Sequence, residues 1–155
     1  MSDEGATRGF VTLETVIIFP AFFIIFMTLV QLAYLEVACL ATEHATVTAT
    51  RAASVILADD PKHYDTAVGV AGGKRLAEIT EAGRIPLRVS SGAPKVTVTF
   101  PGRTTFREGD QVRLRLDHAY PCTIAIGKWL CGTTGTRHIV REASMPYQGA
   151  GYTYP

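Results

Sequence analysis

The chain contains 155 residues, of which 47% are hydrophobic and 19% are charged, and fifteen Lys and Arg nearly balance fourteen Asp and Glu. This composition excludes a disordered tail protein, and a formal charge of +1 gives no reason to expect nucleic acid as a partner. The sequence has no repeat of fixed period and no low-complexity segment, so we expect one globular unit plus a separate role for the apolar residues near the N-terminus.

Residues 15–35 form an apolar run without a charged side chain, bounded by Glu14 and Glu36. A bilayer core requires about 20 apolar residues of helix, so the run predicts a membrane-spanning helix. A core helix that is apolar on every face would need a larger protein around it. A cleaved secretory signal has a shorter apolar core and a basic head, whereas residues 1–9 contain Asp and Glu beside a single Arg.

The residues before this run contain a second pattern. Gly9 is followed by Phe10, and Glu14 lies at the fifth position counted from Phe10. This pattern resembles the prepilin peptidase site of type IV pilin-like proteins, in which a short hydrophilic leader is removed after Gly and the next residue, commonly an N-methylated Phe, becomes the N-terminus. The resemblance implies a leader over residues 1–9 and cleavage between Gly9 and Phe10.

Glu14 is expected to act in subunit assembly. An ionised carboxylate at the edge of a bilayer is costly unless it is paired. The amine that cleavage would expose at Phe10 lies one helical turn from Glu14, or on a neighbouring subunit, and would supply the partner. The alternative is that Glu14 only marks the water-facing end of an ordinary signal anchor.

Pro20 lies inside the apolar helix, where it removes one backbone hydrogen bond. A membrane bundle can absorb this loss. The order from Glu14 through Pro20 into an aromatic and aliphatic run, with Thr-Arg-Ala-Ala at residues 50–53, resembles the TadE/TadG-like pseudopilins of tight-adherence (Tad) pilus systems. The resemblance covers roughly residues 8–58 and places Pro20 in the assembly helix.

Beyond the span, the helix is predicted to continue from Glu36 to about Ala58, because Asp59-Asp60-Pro61 provides a stop. We therefore expect residues 10–58 to form one helix with a membrane-spanning half and a projecting half. Small residues recur at helical spacing in the projecting half: Ala38, Ala41, Ala45, Ala49 and Ala52. Two explanations fit this ridge equally well. Small residues allow close packing between the stems of a filament, and Ala also has the highest helix propensity.

Residues 66–82 predict a second, weaker helix interrupted by Gly72-Gly73. The Gly-Gly-Lys sequence at this point is not a phosphate-binding loop. Val68 occupies the position of its first glycine, and Arg75 stands where the motif requires Ser or Thr.

From residue 86 apolar and polar residues alternate, which is typical of a half-buried antiparallel sheet. The alternating apolar positions fall into two predicted strands: Val96, Val98 and Phe100, then Val112, Leu114 and Leu116. A third strand is predicted near residues 137–145, and residues 86–90 are a candidate edge strand. We therefore expect an α+β fold: the long N-terminal helix carries an extracytoplasmic head over residues 59–155, with a short helix and three or four strands.

Cys122 and Cys131 enclose eight residues, and a disulfide between them would stabilise a small exported head with a limited core. The alternative is a zinc site that adds His118 and His138, but their spacings do not match the usual paired ligands. Cys39 has no obvious mate in the sequence. We predict the disulfide, with neither a metal nor another cofactor.

No catalytic motif accompanies these elements. The sequence lacks both the Gly-x-Ser-x-Gly elbow and the His-Glu-x-x-His helix, and its histidines are expected to be surface or packing side chains. We therefore do not expect an enzyme.

The resemblance to pilin-like proteins implies a structural role. It implies a single-pass protein of the bacterial inner membrane with a cytoplasmic N-terminus, which later reaches the cell surface in a homo- or hetero-oligomeric pilus. The implied partners are prepilin peptidase, other pilin or pseudopilin subunits, the inner-membrane assembly platform and the membrane itself. The length favours a minor pilin or pseudopilin. A major subunit of another type IV filament and a non-polymerising, membrane-tethered binding or adhesion module are the alternatives.

Overall fold

The computed structural model describes residues 4–122, 124, 131–132 and 134–149, with side chains from Thr12 onward except at residues 90 and 91. Its first element, α1 (Glu4–Ile56), is one helix of 53 residues, about 80 Å long, and Pro20 lies inside it. The predicted stop is confirmed. After α1 a short 3-10 turn forms at Pro61–His63, and the carboxylate of Asp60 accepts a hydrogen bond from the backbone N–H of Lys62 at 2.9 Å.

The second helix, α2 (Gly73–Ser91), begins and ends later than the sequence predicts. Gly72 and Gly73 start the helix rather than interrupt it, because Gly72 is extended and Gly73 adopts a φ of 50°, which favours glycine. The backbone N–H of Lys74 donates to the carboxylate of Asp65 at 2.9 Å.

The predicted edge strand at residues 86–90 is wrong, since this segment forms the last turns of α2. Pro86 lies inside the helix, and the apolar period continues through it. Ile79 and Leu87, two helical turns apart, are both fully buried. The burial of this face outweighs the local preference of Pro against helix.

The head contains one antiparallel sheet with strand order β1-β2-β3, where β1 is Lys95–Thr99, β2 is Gln111–Pro121 and β3 is Thr136–Pro146. Val98 pairs with Leu116, and Leu116 pairs with Arg141, which fixes the register on both sides of the central strand. The two alternating strands and the third strand near residues 137–145 are confirmed. Within the described residues the sheet has three strands, so the α+β prediction is confirmed.

Both helices pack on the face of the sheet to which the even-numbered side chains of β2 point. Val112, Leu114 and Leu116 are fully buried, and they form one core cluster with side chains of both helices. Arg113 and Arg115, on the opposite face of the same strand, are exposed, as the alternation predicts. The head is therefore a two-layer structure, and the second half of α1 is part of its core.

The ridge of small residues on α1 packs within the molecule. Ala38, Ala45 and Ala49 are fully buried in contact with the head. A Cβ atom on Gly83 of α2 would lie 3.1 Å from the Cβ of Ala49, so the two helices approach closely here. The head thus packs on the face of α1 that, from the sequence, could have served for contacts between stems. The close approach of the head to this face is itself a reason for small side chains.

Candidate functional site

The first half of α1 carries apolar side chains that the described part of the molecule does not cover. From Thr12 to Phe26 every side chain is exposed. Phe19, Phe22 and Ile25 are 60%, 64% and 61% exposed, respectively. The segment Thr12–Ile56 is long and apolar enough to cross a membrane, and 6% of its most apolar window is buried. This half of α1 is therefore a candidate membrane span and the first candidate site.

Glu14 lies at the start of this apolar surface. Its side chain is exposed, and it shares a shallow groove with Thr15, Ile18, Phe19 and Phe22. Within the described residues, Glu14 forms no salt bridge. Among the described side chains, the helix therefore presents the Glu14 carboxylate without a cationic partner, beside exposed aromatic and aliphatic side chains.

Pro20 follows Glu14 after less than two turns of the helix. It is exposed, and α1 continues on both sides of it. The proline has no N–H, so the carbonyl of Val16 loses its usual intrahelical donor. The rings of Phe19 and Phe23 stack beside this position with centroids 6.0 Å apart.

The predicted cleavage junction, Gly9-Phe10, lies within the backbone of α1. The side chains of both residues are outside the described part of the molecule. Cleavage between them stays a prediction from the sequence.

Cys122 and Cys131 are joined by a disulfide, with their Cα atoms 6.4 Å apart, within the usual range for such bonds. Both residues are buried and contact Tyr120, Ile139 and Ala38 in a second, smaller core cluster. The disulfide therefore lies between the end of β2 and helix α1. Within the described residues, no group of three His, Cys, Asp or Glu side chains could hold a metal ion.

His118 joins the sheet to α1 beside this cluster. The hydroxyl of Thr42 donates to the carbonyl of Ala38 at 2.6 Å, so its oxygen accepts from Nδ1 of His118 at 3.0 Å. The ring is fully buried, and among the described residues its Nε2 has no hydrogen-bond partner. Burial lowers the pKa of His118, which favours the neutral ring despite the nearby charge of Asp117. His118 is therefore a packing side chain, one of the two roles that the sequence analysis left open.

The neighbouring buried hydroxyls are satisfied by the helix itself. Thr46 donates to the carbonyl of Thr42 at 2.7 Å, and Thr50 donates to that of Thr46 at 2.7 Å. This local bonding lets α1 bury a face of small and polar residues under the head without unpaired hydroxyl groups.

Arg75 is a structural residue that the sequence analysis missed. It is fully buried, and its guanidinium donates to the backbone carbonyl of Ile56 and, at 3.0 Å, to that of Asp59. Its Nε donates to the hydroxyl of Thr66 at 3.2 Å, and the group lies 4.2 Å from the centre of the Tyr64 ring. Arg75 thus caps the C-terminus of α1, where a cation is also favoured by the helix dipole.

No protein-family model, curated protein or solved structure matches this chain.

Proposed function

We propose that the protein is a structural, pilin-like subunit that is anchored in the bacterial inner membrane before it enters a pilus. The observation that carries the proposal is the exposed apolar half of α1, with the carboxylate of Glu14 near its start, which has no salt bridge within the described residues, and a head fastened to its other half. The subunit is not an enzyme, and it requires neither a cofactor nor nucleic acid.

The exposed apolar side chains need an environment other than water. Removing apolar surface from water contributes about 25 cal/mol per Å², so a helix with apolar groups on every side is stable only in lipid or among other helices. Residues 15–35 span about 30 Å as a helix, which matches the apolar thickness of a bilayer. A membrane and a bundle of like helices are both suitable environments, and a pilin-like subunit uses them in turn.

Glu14 supports the choice of a polymerising subunit. Unlike Glu36 at the other end of the run, Glu14 lies one helical turn after the Gly9-Phe10 junction, and an unpaired charge at the edge of the apolar surface opposes insertion. In the proposed filament, the amine that prepilin peptidase exposes at Phe10 pairs with Glu14 of a neighbouring subunit. In the filament, neighbouring helices would cover the shallow apolar groove beside Glu14 and lower the local dielectric, which strengthens the attraction.

Pro20 is compatible with the same environment. The carbonyl freed by Pro20 can accept a hydrogen bond from a neighbouring helix in a bundle, or from a local adjustment of α1. We assign the chain to a Tad-like system as a minor pilin or pseudopilin. Its partners are prepilin peptidase, other pilin or pseudopilin subunits and the inner-membrane assembly platform.

The proposal is tested by removing the charge of Glu14 without adding bulk. The substitution Glu14→Val should leave the protein in the membrane fraction, since it makes the span more apolar, and should reduce its recovery in sheared surface filaments by at least tenfold. The matched control is Glu36→Val. It removes an exposed carboxylate from the other end of the apolar run, far from Phe10, and should leave filament recovery unchanged.

Two other results would contradict the proposal. Normal filaments with Glu14→Val would show that the carboxylate has no role in assembly and would favour a membrane-tethered module. An equal loss of filaments with both variants would show a general effect of charge on the span rather than a specific pair.

A further inference from the structure

All three cysteines of the chain lie in one core cluster or pack against it. Cys39 lies on α1, far in sequence from the disulfide between Cys122 and Cys131. Its side chain packs against the same cluster that contains both bonded cysteines. Leu35, one turn earlier on α1, packs against this cluster as well. A free thiol and a disulfide therefore share one packed region at the junction of stem and head.

The burial of the three residues differs in a way that favours reaction from inside the molecule. Cys122 and Cys131 are only 5% and 7% exposed, so a dissolved thiol has little access to their sulfur atoms. Cys39 is half-buried, in contact with the cluster on one side and open to solvent on the other. Its thiol thus packs against the cluster that contains the disulfide while the residue keeps some exposure to solvent.

We propose that Cys39, Cys122 and Cys131 form an internal thiol–disulfide exchange site. The thiolate of Cys39 attacks Sγ of Cys122, and a new bond forms between these two sulfur atoms. The bond between Cys122 and Cys131 breaks, and Cys131 leaves as a thiolate that takes up a proton from water. One disulfide and one thiol are present before and after the step, so it requires neither an oxidant nor a reductant.

Attack at Cys122 is favoured because the sheet holds this residue against α1. Cys122 directly follows β2, which the hydrogen bond between His118 and Thr42 fixes to the helix. The backbone N–H of Cys122 also donates to the carbonyl of Gly135 at 2.9 Å. Cys131 lies in the connection between β2 and β3, and its sulfur is the leaving group.

The exchange would change what the disulfide connects. In the present arrangement the bond closes a short loop within the head, whereas a bond between Cys39 and Cys122 would tie the stem helix covalently to the sheet. The longer closed loop restricts the unfolded chain more strongly. The released Cys131 would become available for modification. This inference does not depend on filament assembly.

The test uses the full-length protein in detergent micelles. It is incubated at mildly alkaline pH without added thiol or oxidant, its free thiols are alkylated with N-ethylmaleimide, and non-reduced peptides are mapped by mass spectrometry. The proposal predicts a Cys39–Cys122 linked peptide and alkylated Cys131. Both should form at a rate that rises with pH and does not depend on protein concentration. The variant Cys39→Ser should yield neither product.

Alkylation of Cys39 alone at every time and pH would overturn the proposal. A bond between Cys39 and Cys131 would also overturn it, because that bond requires attack at the other sulfur. A rate proportional to protein concentration would do the same, because it requires exchange between molecules.

A pair of variants provides a second measurement. With oxidised glutathione, Cys131→Ser should form a monomeric Cys39–Cys122 disulfide, whereas Cys122→Ser should mainly form mixed disulfides with glutathione. Only mixed disulfides in Cys131→Ser would also contradict the proposal.

Discussion

At the scale of single residues, Arg75 shows how one buried cation can define the end of a long helix. The last carbonyl groups of a helix have no donor within the helix. The guanidinium supplies donors to Ile56 and Asp59, while the Tyr64 ring covers one face of the group. In the described structure its hydrogen bonds go to backbone carbonyls and Thr66 rather than to a carboxylate. Its removal would therefore leave buried acceptors unpaired.

Arg75→Leu should lower the free energy of unfolding by about 2–4 kcal/mol, because it leaves these carbonyls buried without donors. Arg75→Lys should recover part of this loss through a single donor group. The measurement is urea unfolding of the full-length protein in micelles, followed by circular dichroism. Arg88→Leu is the control, since it removes an exposed arginine whose ion pair with Glu81 contributes less than about 1 kcal/mol. Equal effects of the two leucine variants would rule out the capping role.

Because His118 is buried between stem and head, we expect the stability of the folded protein to depend on pH. Its pKa is lowered in the folded state by burial, so below the ordinary pKa of histidine, about 6.5, the unfolded chain binds a proton that the folded chain does not. Stability should therefore be complete above this pH and fall as the pH decreases below it, by at most about 1.4 kcal/mol per pH unit.

The substitution His118→Gln should remove this contribution from the pH dependence of unfolding. His138→Gln is the control, because His138 is an exposed residue whose ring lies 2.8 Å from the carboxylate of Asp117 and forms no part of the buried junction. Urea titrations at several pH values between about 5 and 8 measure the effect. An unchanged pH profile with His118→Gln would contradict the assignment.

At the scale of elements, the close contact between α1 and α2 depends on Gly83. A Cβ atom at this position would lie 3.0 Å from Leu116 and 3.1 Å from Ala49. Gly83→Ala should therefore lower stability by about 1–3 kcal/mol through overpacking, although alanine is the better helix former by about 1 kcal/mol.

The control for Gly83→Ala is Ala77→Gly, which exchanges the same two residue types at an exposed position of α2 and reports helix propensity alone. Thermal unfolding followed by circular dichroism compares the two variants. An increase in stability with Gly83→Ala would show that the helices can separate without cost and would contradict the close contact.

The regular elements could be predicted where one periodic signal was dominant. The apolar run and the stop at Asp59-Asp60-Pro61 defined the body and the end of α1, which begins at Glu4 rather than at the expected residue 10, and the alternation around Leu114 defined β2. The start of α2 could not be predicted, because Gly72-Gly73 is compatible with an interruption as well as with a beginning. Pro86 led to a wrong prediction for the end of α2. The burial of Leu87 offsets the cost of a proline inside the helix, and this burial depends on tertiary packing.

The candidate site could be predicted only in part. Glu14, Pro20 and the two paired cysteines stand out in the sequence because their chemistry or spacing is unusual. The capping role of Arg75 and the position of Cys39 beside the disulfide depend on contacts between segments far apart in the chain. No local pattern contains that information.

At the scale of the whole molecule, the two halves of α1 differ in what surrounds them. Its second half is integrated into the head through small residues, the bond between Thr42 and His118 and the cap from Arg75. Its first half projects with apolar side chains exposed. The head is therefore fastened to the same continuous helix that carries the candidate span, so a force on the head would act directly on that helix.

The most direct test of the proposed pilin-like function is the N-terminus of the mature protein. The protein should be extracted from membranes of cells that carry a prepilin peptidase, and its intact mass and terminal peptide should be determined by mass spectrometry. The account predicts a chain that begins at Phe10, and Gly9→Leu should prevent this processing by enlarging the residue before the cut. Recovery of the wild-type protein with residues 1–9 retained would contradict the account and identify the span as a permanent anchor.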